Sequence, residues 1–356
     1  MVEWLAGNRI RGTTAERPNF GVPSGSVAGW KELKRKKLGV DGNSLEVTGL
    51  DNKQYYMVLV YVNRSAGSQA RIRFNDDTSA GTGTNYADRL ETNGSNTPNA
   101  ASNCMIASGA DGSPMFTTGY IANLSGKEKL MISHSATREG TGTGNKPFVY
   151  GFVGKWTGTD AISSINFYPS TNNFLADSEI VVLGYDPDDT HTDNFWEELA
   201  DVPLSSSGDT ISSGVFTAKK YLWVQAWAKV SPATGAPAFR VGNTTVSVDT
   251  EYATRASSNG NAYDQAASTS IDMAPAFIQN NETCFVNIFI INNASEEKIL
   301  VWNSTLSGGS GAGNETKERR GASKWTDTTD QINIVSLINA GSGDFSDGTI
   351  KVWGHD

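Results

Sequence analysis

The second half of this chain restates the first, and that duplication limits the possible folds more than any other feature. Tyr86-Ala87-Asp88-Arg89 returns as Tyr252-Ala253-Thr254-Arg255, and Asn93-Gly94 returns as Asn259-Gly260, each 166 residues on. Glu128-Lys129 and Trp156-Thr157 return 169 residues on, as Glu297-Lys298 and Trp325-Thr326. Phe174 matches Phe345, and Gly184 matches Gly354. Trp30-Lys31-Glu32-Leu33 is echoed by Trp196-Glu197-Glu198-Leu199. Matches that keep their order over most of the chain mark a duplicated unit, and the small drift in offset marks loop insertions.

A length of 356 residues suits two such units. Their boundaries are expected at 30–186 and 196–356, joined by a linker at 187–195 and preceded by a polar arm at 1–29. The arm reads as a tail or as a strap onto a neighbouring subunit. Asp356 falls on Asp186, so the second copy is expected to end there.

Each unit reads as β-structure. Tyr55 to Val62 is a continuous β-branched and aromatic run, expected as a central strand buried on both faces. Ser44–Thr48, Arg71–Phe74, Met115–Ile121, Lys129–His134, Phe148–Trp156, Ala161–Phe167 and Glu179–Leu183 supply further strands. Lys220–Trp227 replaces the central strand in the second copy. The 37 glycines and nine tryptophans fit strands and loops better than helices. Two tandem antiparallel β-sandwiches of jelly-roll type are expected. The stretches 75–114 and 243–274 read as long loops, of a length that is usually functional or disordered.

Composition excludes several function classes. A net charge of −9 argues against nucleic acid as partner. No apolar run is long enough to span a bilayer as a helix, so no membrane partner is expected. The N-terminus lacks an apolar leader core, which predicts synthesis in the cytosol. Cys104 and Cys284 fall at non-equivalent places and read as free thiols. No cofactor is expected, and no nucleophile elbow, phosphate loop or catalytic triad order is present. A glycosidase carboxylate pair is set by fold and not by spacing, but no acid stands on an apolar strand as a raised-pKa group would.

Four groups of residues remain as candidate sites. Asp186, Asp188, Asp189, His191 and Asp193 form an acidic cluster that either holds a hard cation such as calcium or is a solvated linker. Arg89 and Arg255, at the base of the long loops, clamp a ligand carboxylate or tie the loop to the sandwich. Trp156 and Trp325 stack on sugar rings if exposed, or fill a sandwich corner if buried. The last group is a charge contrast. Residues 30–37 carry Lys31, Lys34, Arg35, Lys36 and Lys37 against Glu32, a net +4, whereas 196–203 carry Glu197, Glu198 and Asp201, a net −3. Opposite charges of this kind set register when the first unit of one subunit meets the second unit of another.

The Trp-x-Glu-Leu start, Tyr-Ala-x-Arg, the Asn-x-Ser turn before Glu-Lys, and the closing Trp-Thr, Ile-x-x-Ile, Phe and Val-x-Gly resemble tandem β-domain virion proteins of marine tailed viruses. The resemblance covers nearly all the chain beyond residue 29. It implies a non-enzymatic capsid decoration, fibre or appendage protein, located in the virion, whose partners are copies of itself and other virion proteins. It supplies no catalytic residues. The tandem layout is also similar to double jelly-roll major capsid proteins, although their two barrels normally share little sequence. A carbohydrate-binding module with glycans as ligands is the rival expectation, and a β-sandwich hydrolase a third.

Overall fold

Tyr55–Val62 is the strand on which the first repeat is built. In the computed structural model every residue of it after Tyr55 is buried. The structure describes residues 29–64, 67–78, 85–102, 104–108, 112–186, 193–231, 235–274, 281–308 and 315–356. The expected arm, up to residue 28, and 187–192 of the expected linker lie outside these residues.

The strand is flanked on both sides by antiparallel partners, Glu179–Tyr185 and Met115–Ala122. Side chains alternate across a strand, so Tyr56, Val58, Val60 and Val62 enter one core. The full sheet has eight strands, in the order Lys31–Lys37, Glu179–Tyr185, Tyr55–Val62, Met115–Ala122, Lys129–Thr137, Phe148–Trp156, Tyr86–Thr92 and Ser95–Ser102. A second layer is formed by Leu45–Thr48, Ser164–Pro169, Ala70–Phe74 and Met105–Ile106. Leu45, Ile72, Phe74, Ile165 and Phe167 from that layer share the core with Val58, Val60 and Phe152. Two antiparallel layers over one apolar core make a β-sandwich.

The second repeat has the same sheet order. Its large sheet runs Glu197–Pro203, Asp344–His355, Tyr221–Ser231, Thr283–Ile291, Lys298–Leu306, Lys317–Trp325, Tyr252–Ser258 and Asn261–Ser268. Thr210–Ser212, Ile334–Asn339, Pro237–Asn243 and Thr245–Val246 form the facing layer, with Ile271–Asp272 paired to Pro237–Asn243. The fold is therefore all-β, two tandem antiparallel sandwiches. By contacts the chain divides into two compact units, and the second takes in Thr92–Ser95 and Ala136–Val149 together with Leu199–Asp356.

The stretches expected as long loops are largely strands. Tyr86–Thr92 with Ser95–Ser102, and Tyr252–Ser258 with Asn261–Ser268, are hairpins that end each large sheet. Their turns are the repeated Asn-Gly pairs. Asn93 and Gly94 have φ of 49° and 91°, and Asn259 and Gly260 have 47° and 81°. Two consecutive positive φ values form the tight turn whose twist matches a hairpin. The charged runs after Trp30 and Trp196 are likewise strands, Lys31–Lys37 and Glu197–Pro203, at the opposite edge of each sheet.

Candidate functional site

The residues that the duplication repeats are mostly scaffold. Tyr86 and Tyr252 are fully buried, and each hydroxyl serves one residue of the neighbouring layer. It donates to a carbonyl (Phe74 at 3.2 Å, Val241 at 2.8 Å) and accepts that residue's N–H at 3.0 Å. Burial pushes both phenols up from their ordinary pKa. Phe174 and Phe345 are buried, and each exchanges both backbone hydrogen bonds with a glycine, Gly42 or Gly208.

The Glu-Lys match hides a buried cation. Lys129 and Lys298 are inaccessible to solvent. Lys129 Nζ donates to the carbonyls of Leu124, Lys127 and Thr159 at 2.7–2.9 Å. Lys298 Nζ donates to those of Ala294, Glu296 and Asp327. Desolvation lowers both ammonium pKa values, and three carbonyl acceptors offset that cost. Beside each lysine sits a buried asparagine. Asn123 Oδ1 accepts from Ile162 N–H at 3.0 Å, and its amide donates to Lys53 O at 2.9 Å. Asn292 repeats this with Ile332 N–H at 2.7 Å and Lys219 O at 2.9 Å. The Asn-x-Ser turns at 123–125 and 293–295 align Asn123 with Asn293 in sequence, but the buried equivalent is Asn292.

Trp156 and Trp325 are buried. Their indole N–H groups donate to Asp77 Oδ2 at 2.6 Å and Glu251 Oε2 at 2.9 Å. Neither ring is left as a platform for a sugar, because each fills the corner between layers beside Tyr86 or Lys298. Arg255 lies over the Phe148 ring at 4.9 Å and pairs with Asp264 at 3.3 Å and Glu139 at 3.6 Å. Arg89, its counterpart, is exposed.

Of the expected acidic cluster, Asp186 and Asp193 lie among the described residues. Asp186 Oδ1 accepts the Gln54 N–H at 2.7 Å, with Lys53 Nζ 3.8 Å from its carboxylate. Asp356 repeats the arrangement with Lys220 N–H and Lys219 Nζ, both at 3.2 Å. Each therefore clasps the start of a central strand. Asp193 lies 3.6 Å from Lys31 Nζ, and Asp188, Asp189 and His191 lie outside the described residues. Among the described residues no group of three or more His, Cys, Asp or Glu side chains could hold a metal ion.

Cys104 and Cys284 are buried and not joined in a disulfide, and burial pushes the Cys284 thiol up to about 12. Glu46 is held above its ordinary pKa by burial first, then by the charge and hydrogen bond of Asp76. Carboxyls in hydrogen-bonding contact are too close for glycoside hydrolysis, which needs roughly 5 Å or more between them.

What remains is surface. In the basic edge, Arg35 bridges Glu32 (2.8 Å) and Glu179 (3.2 Å), and Lys37 reaches Asp177 at 2.8 Å. Lys34 and Lys36 are exposed. In the acidic edge, Glu197 is exposed, Glu198 is half-buried, and Asp201 pairs with Lys351. On the outer face of the second large sheet, Phe285, Asn287, Asn303, Thr305, Thr316 and Glu318 line an open depression of about 560 Å³.

Neither a protein-family model nor a curated protein matches the chain. Among solved structures it is similar to domains LG4-5 of the mouse laminin alpha1 chain, at 11% identity and TM-score 0.19, covering 92% of this chain and 90% of that one. It is similar to the LG1-3 region of the laminin alpha2 chain at 8% identity and TM-score 0.21, covering 90% of this chain and 62% of that one. The PBSX exported protein XepA matches at 7% identity and TM-score 0.17, covering 91% of this chain and 86% of that one. Scores of this size carry no argument about function, and the sandwich stands on the strand pairings given above. No helix among the described residues is long and apolar enough to cross a membrane.

Proposed function

We propose that the chain is a non-enzymatic structural component of a virus particle, associating with copies of itself and with neighbouring virion proteins. The opposite charge of two equivalent sheet edges carries this reading. Lys31–Lys37 and Glu197–Pro203 begin the two sheet orders at the same end. Lys34 and Lys36 pair in register with Val182 and Ile180, whose side chains enter the core, so both amines hang from the core-side rim of the edge. Inward-pointing charges there block backbone pairing with a stray strand, which leaves side-chain complementarity as the means of contact. In the second repeat Ala200 and Val202 pack against the core, and Glu197 faces solvent. A basic edge on one repeat and an acidic edge on the other let unlike repeats of two copies meet and disfavour like with like. The resemblance drawn from the sequence points such an assembly to a virion, as a decoration, fibre or appendage made in the host cytoplasm.

Reversing the edge with Lys34→Glu and Lys36→Glu tests the reading. Both side chains are exposed, so the melting temperature is expected to hold. Self-association at low salt is expected to weaken at least about tenfold. Association unchanged by the reversal would end the edge-pairing account.

A second reading, glycan binding, is favoured by the depression around Phe285. An exposed aromatic ring beside amide and hydroxyl groups is the chemistry that grips a sugar. A glycan array probed with the wild type and Phe285→Ala separates the readings. Binding lost in the variant supports a sugar site, and no binding by either protein removes it.

A further inference from the structure

The two repeats carry one surface in two states. On the first large sheet, Lys155 Nζ lies 3.1 Å from Glu128 Oε2, with side chains 44% and 48% exposed. The equivalent pair in the second, Lys324 and Glu297, is also 3.1 Å apart, with side chains 0% and 3% exposed. The flanking apolar residues differ in the same direction. Leu130, Ile132 and Val153 are 56%, 58% and 49% exposed, and their counterparts Ile299, Val301 and Ala322 are 1%, 1% and 0% exposed. Exposed aliphatic residues that adjoin one another on a sheet mark a contact surface more often than chance.

Inside the second unit, the segment Ala136–Val149 seals the buried ion pair. Gly142 N–H donates to Glu297 Oε1 at 2.5 Å, and Lys324 Nζ donates to Gly140 O at 2.8 Å. Around them, Glu139 pairs with Arg255 at 3.6 Å and Lys146 with Asp264 at 3.3 Å. Gly140 and Gly142 have positive φ, so the segment needs glycine at those places.

The second repeat carries its own version of this segment in sequence. Gly140-Thr-Gly142-Thr-Gly144-Asn145 corresponds, 169 residues on, to Gly309-Ser-Gly311-Ala-Gly313-Asn314. The charges around it have changed together. Asp264 corresponds to Pro98 and Glu139 to Gly308, so Arg89 has lost both acids that its counterpart Arg255 holds. Lys146 corresponds to Glu315, so the loop has gained an acid in place of a base. Laid on the first repeat, the loop offers Arg89 the carboxylate it lacks.

We propose that the face of the first repeat formed by Arg89, Glu128, Leu130, Ile132, Val153 and Lys155 docks the glycine-rich loop, residues 307–316, of a second copy of this chain. The contact joins unlike surfaces, so it propagates head to tail and closes into a ring or continues as a filament. It rests on the proposed assembly role but uses a different surface from the charged edges.

The test uses the full chain. Association constants are measured by sedimentation velocity for the wild type, Ile132→Asp, Arg89→Glu, Glu315→Arg and the Arg89→Glu/Glu315→Arg double variant. All the altered side chains lie on the surface or in the loop, and circular dichroism checks that each variant folds. Each single variant is expected to weaken association at least about tenfold, and the double variant to recover most of it. Cross-linking of mixed isotope-labelled and unlabelled copies identifies the surface. Inter-copy links from Lys317 to Lys127 or Lys155 support the proposal. Assembly that leaves only links between residues 31–37 and 197–201 overturns it while sparing the edge reading. Single variants that associate like the wild type, or a double variant that stays weak, overturn it as well.

Discussion

Trp302→Ala is expected to destabilise the protein by about 3–5 kcal/mol. Trp302 is completely buried in the core of the second repeat. It faces Gly321 on the adjacent strand, and a Cβ at Gly321 would sit 2.9 Å from the indole. The ring therefore fills volume that the neighbouring strand leaves open. Its N–H donates to Ser323 Oγ at 2.9 Å, and Ser323 in turn contacts Thr254 Oγ1 at 2.9 Å. Truncation leaves a cavity bounded by two paired strands, which are held in register and collapse poorly. Urea unfolding monitored by far-UV circular dichroism measures the loss. A change below about 1 kcal/mol would show that the site relaxes and that the ring is not a core anchor.

Asn292→Ala is the second large effect, expected at about 2–4 kcal/mol. The side chain is fully buried and makes three hydrogen bonds to backbone. It donates to Lys219 O and Ile332 O, each at 2.9 Å, and accepts from Ile332 N–H at 2.7 Å. Alanine leaves those groups buried without partners, at a cost above that of a lost surface hydrogen bond. Asn293→Ala, one residue on, is the control. Its amide reaches only Glu296 at 3.4 Å on a half-buried turn, so a change within about 0.5 kcal/mol is expected. Equal effects at the two positions would contradict the placement of the polar anchor at Asn292.

The architecture was legible where local chemistry and tertiary context agree. Tyr55–Val62 and Phe148–Trp156 were bounded to the residue, because their β-branched and aromatic content suits a strand, the first covered on both faces and the second on one. The sheet-end hairpins were not legible from composition. Ser95–Ser102 and Asn261–Ser268 are polar edge strands of low β-propensity, and they resemble loops by residue type. The usable signal was the repeated Asn-Gly pair, which names a hairpin turn through its backbone preference and not through hydrophobicity.

The site residues divide in the same way. Tyr86, Lys129, Trp156 and their twins were found because duplication preserves them, yet their side chains build the sandwich. Repetition alone does not tell a ligand clamp from a buried anchor. That distinction depends on burial, as the lysine pair shows: Lys129 and Lys298 would read as solvated charges on any turn. The exposed Leu130 and buried Ile299 are chemically alike in sequence, and only tertiary contacts separate them. The copies have kept their interiors and diverged at their surfaces, at Lys34 against Ala200 and at Lys146 against Glu315.

The central claim is that these diverged surfaces join copies of the chain. The most direct measurement is the molar mass of the full-length protein by sedimentation equilibrium, over rising concentration and at low and high salt. The account predicts a mass that climbs above that of one chain with concentration and falls back as salt screens the charged contacts. A single-chain mass at every concentration and ionic strength would contradict it.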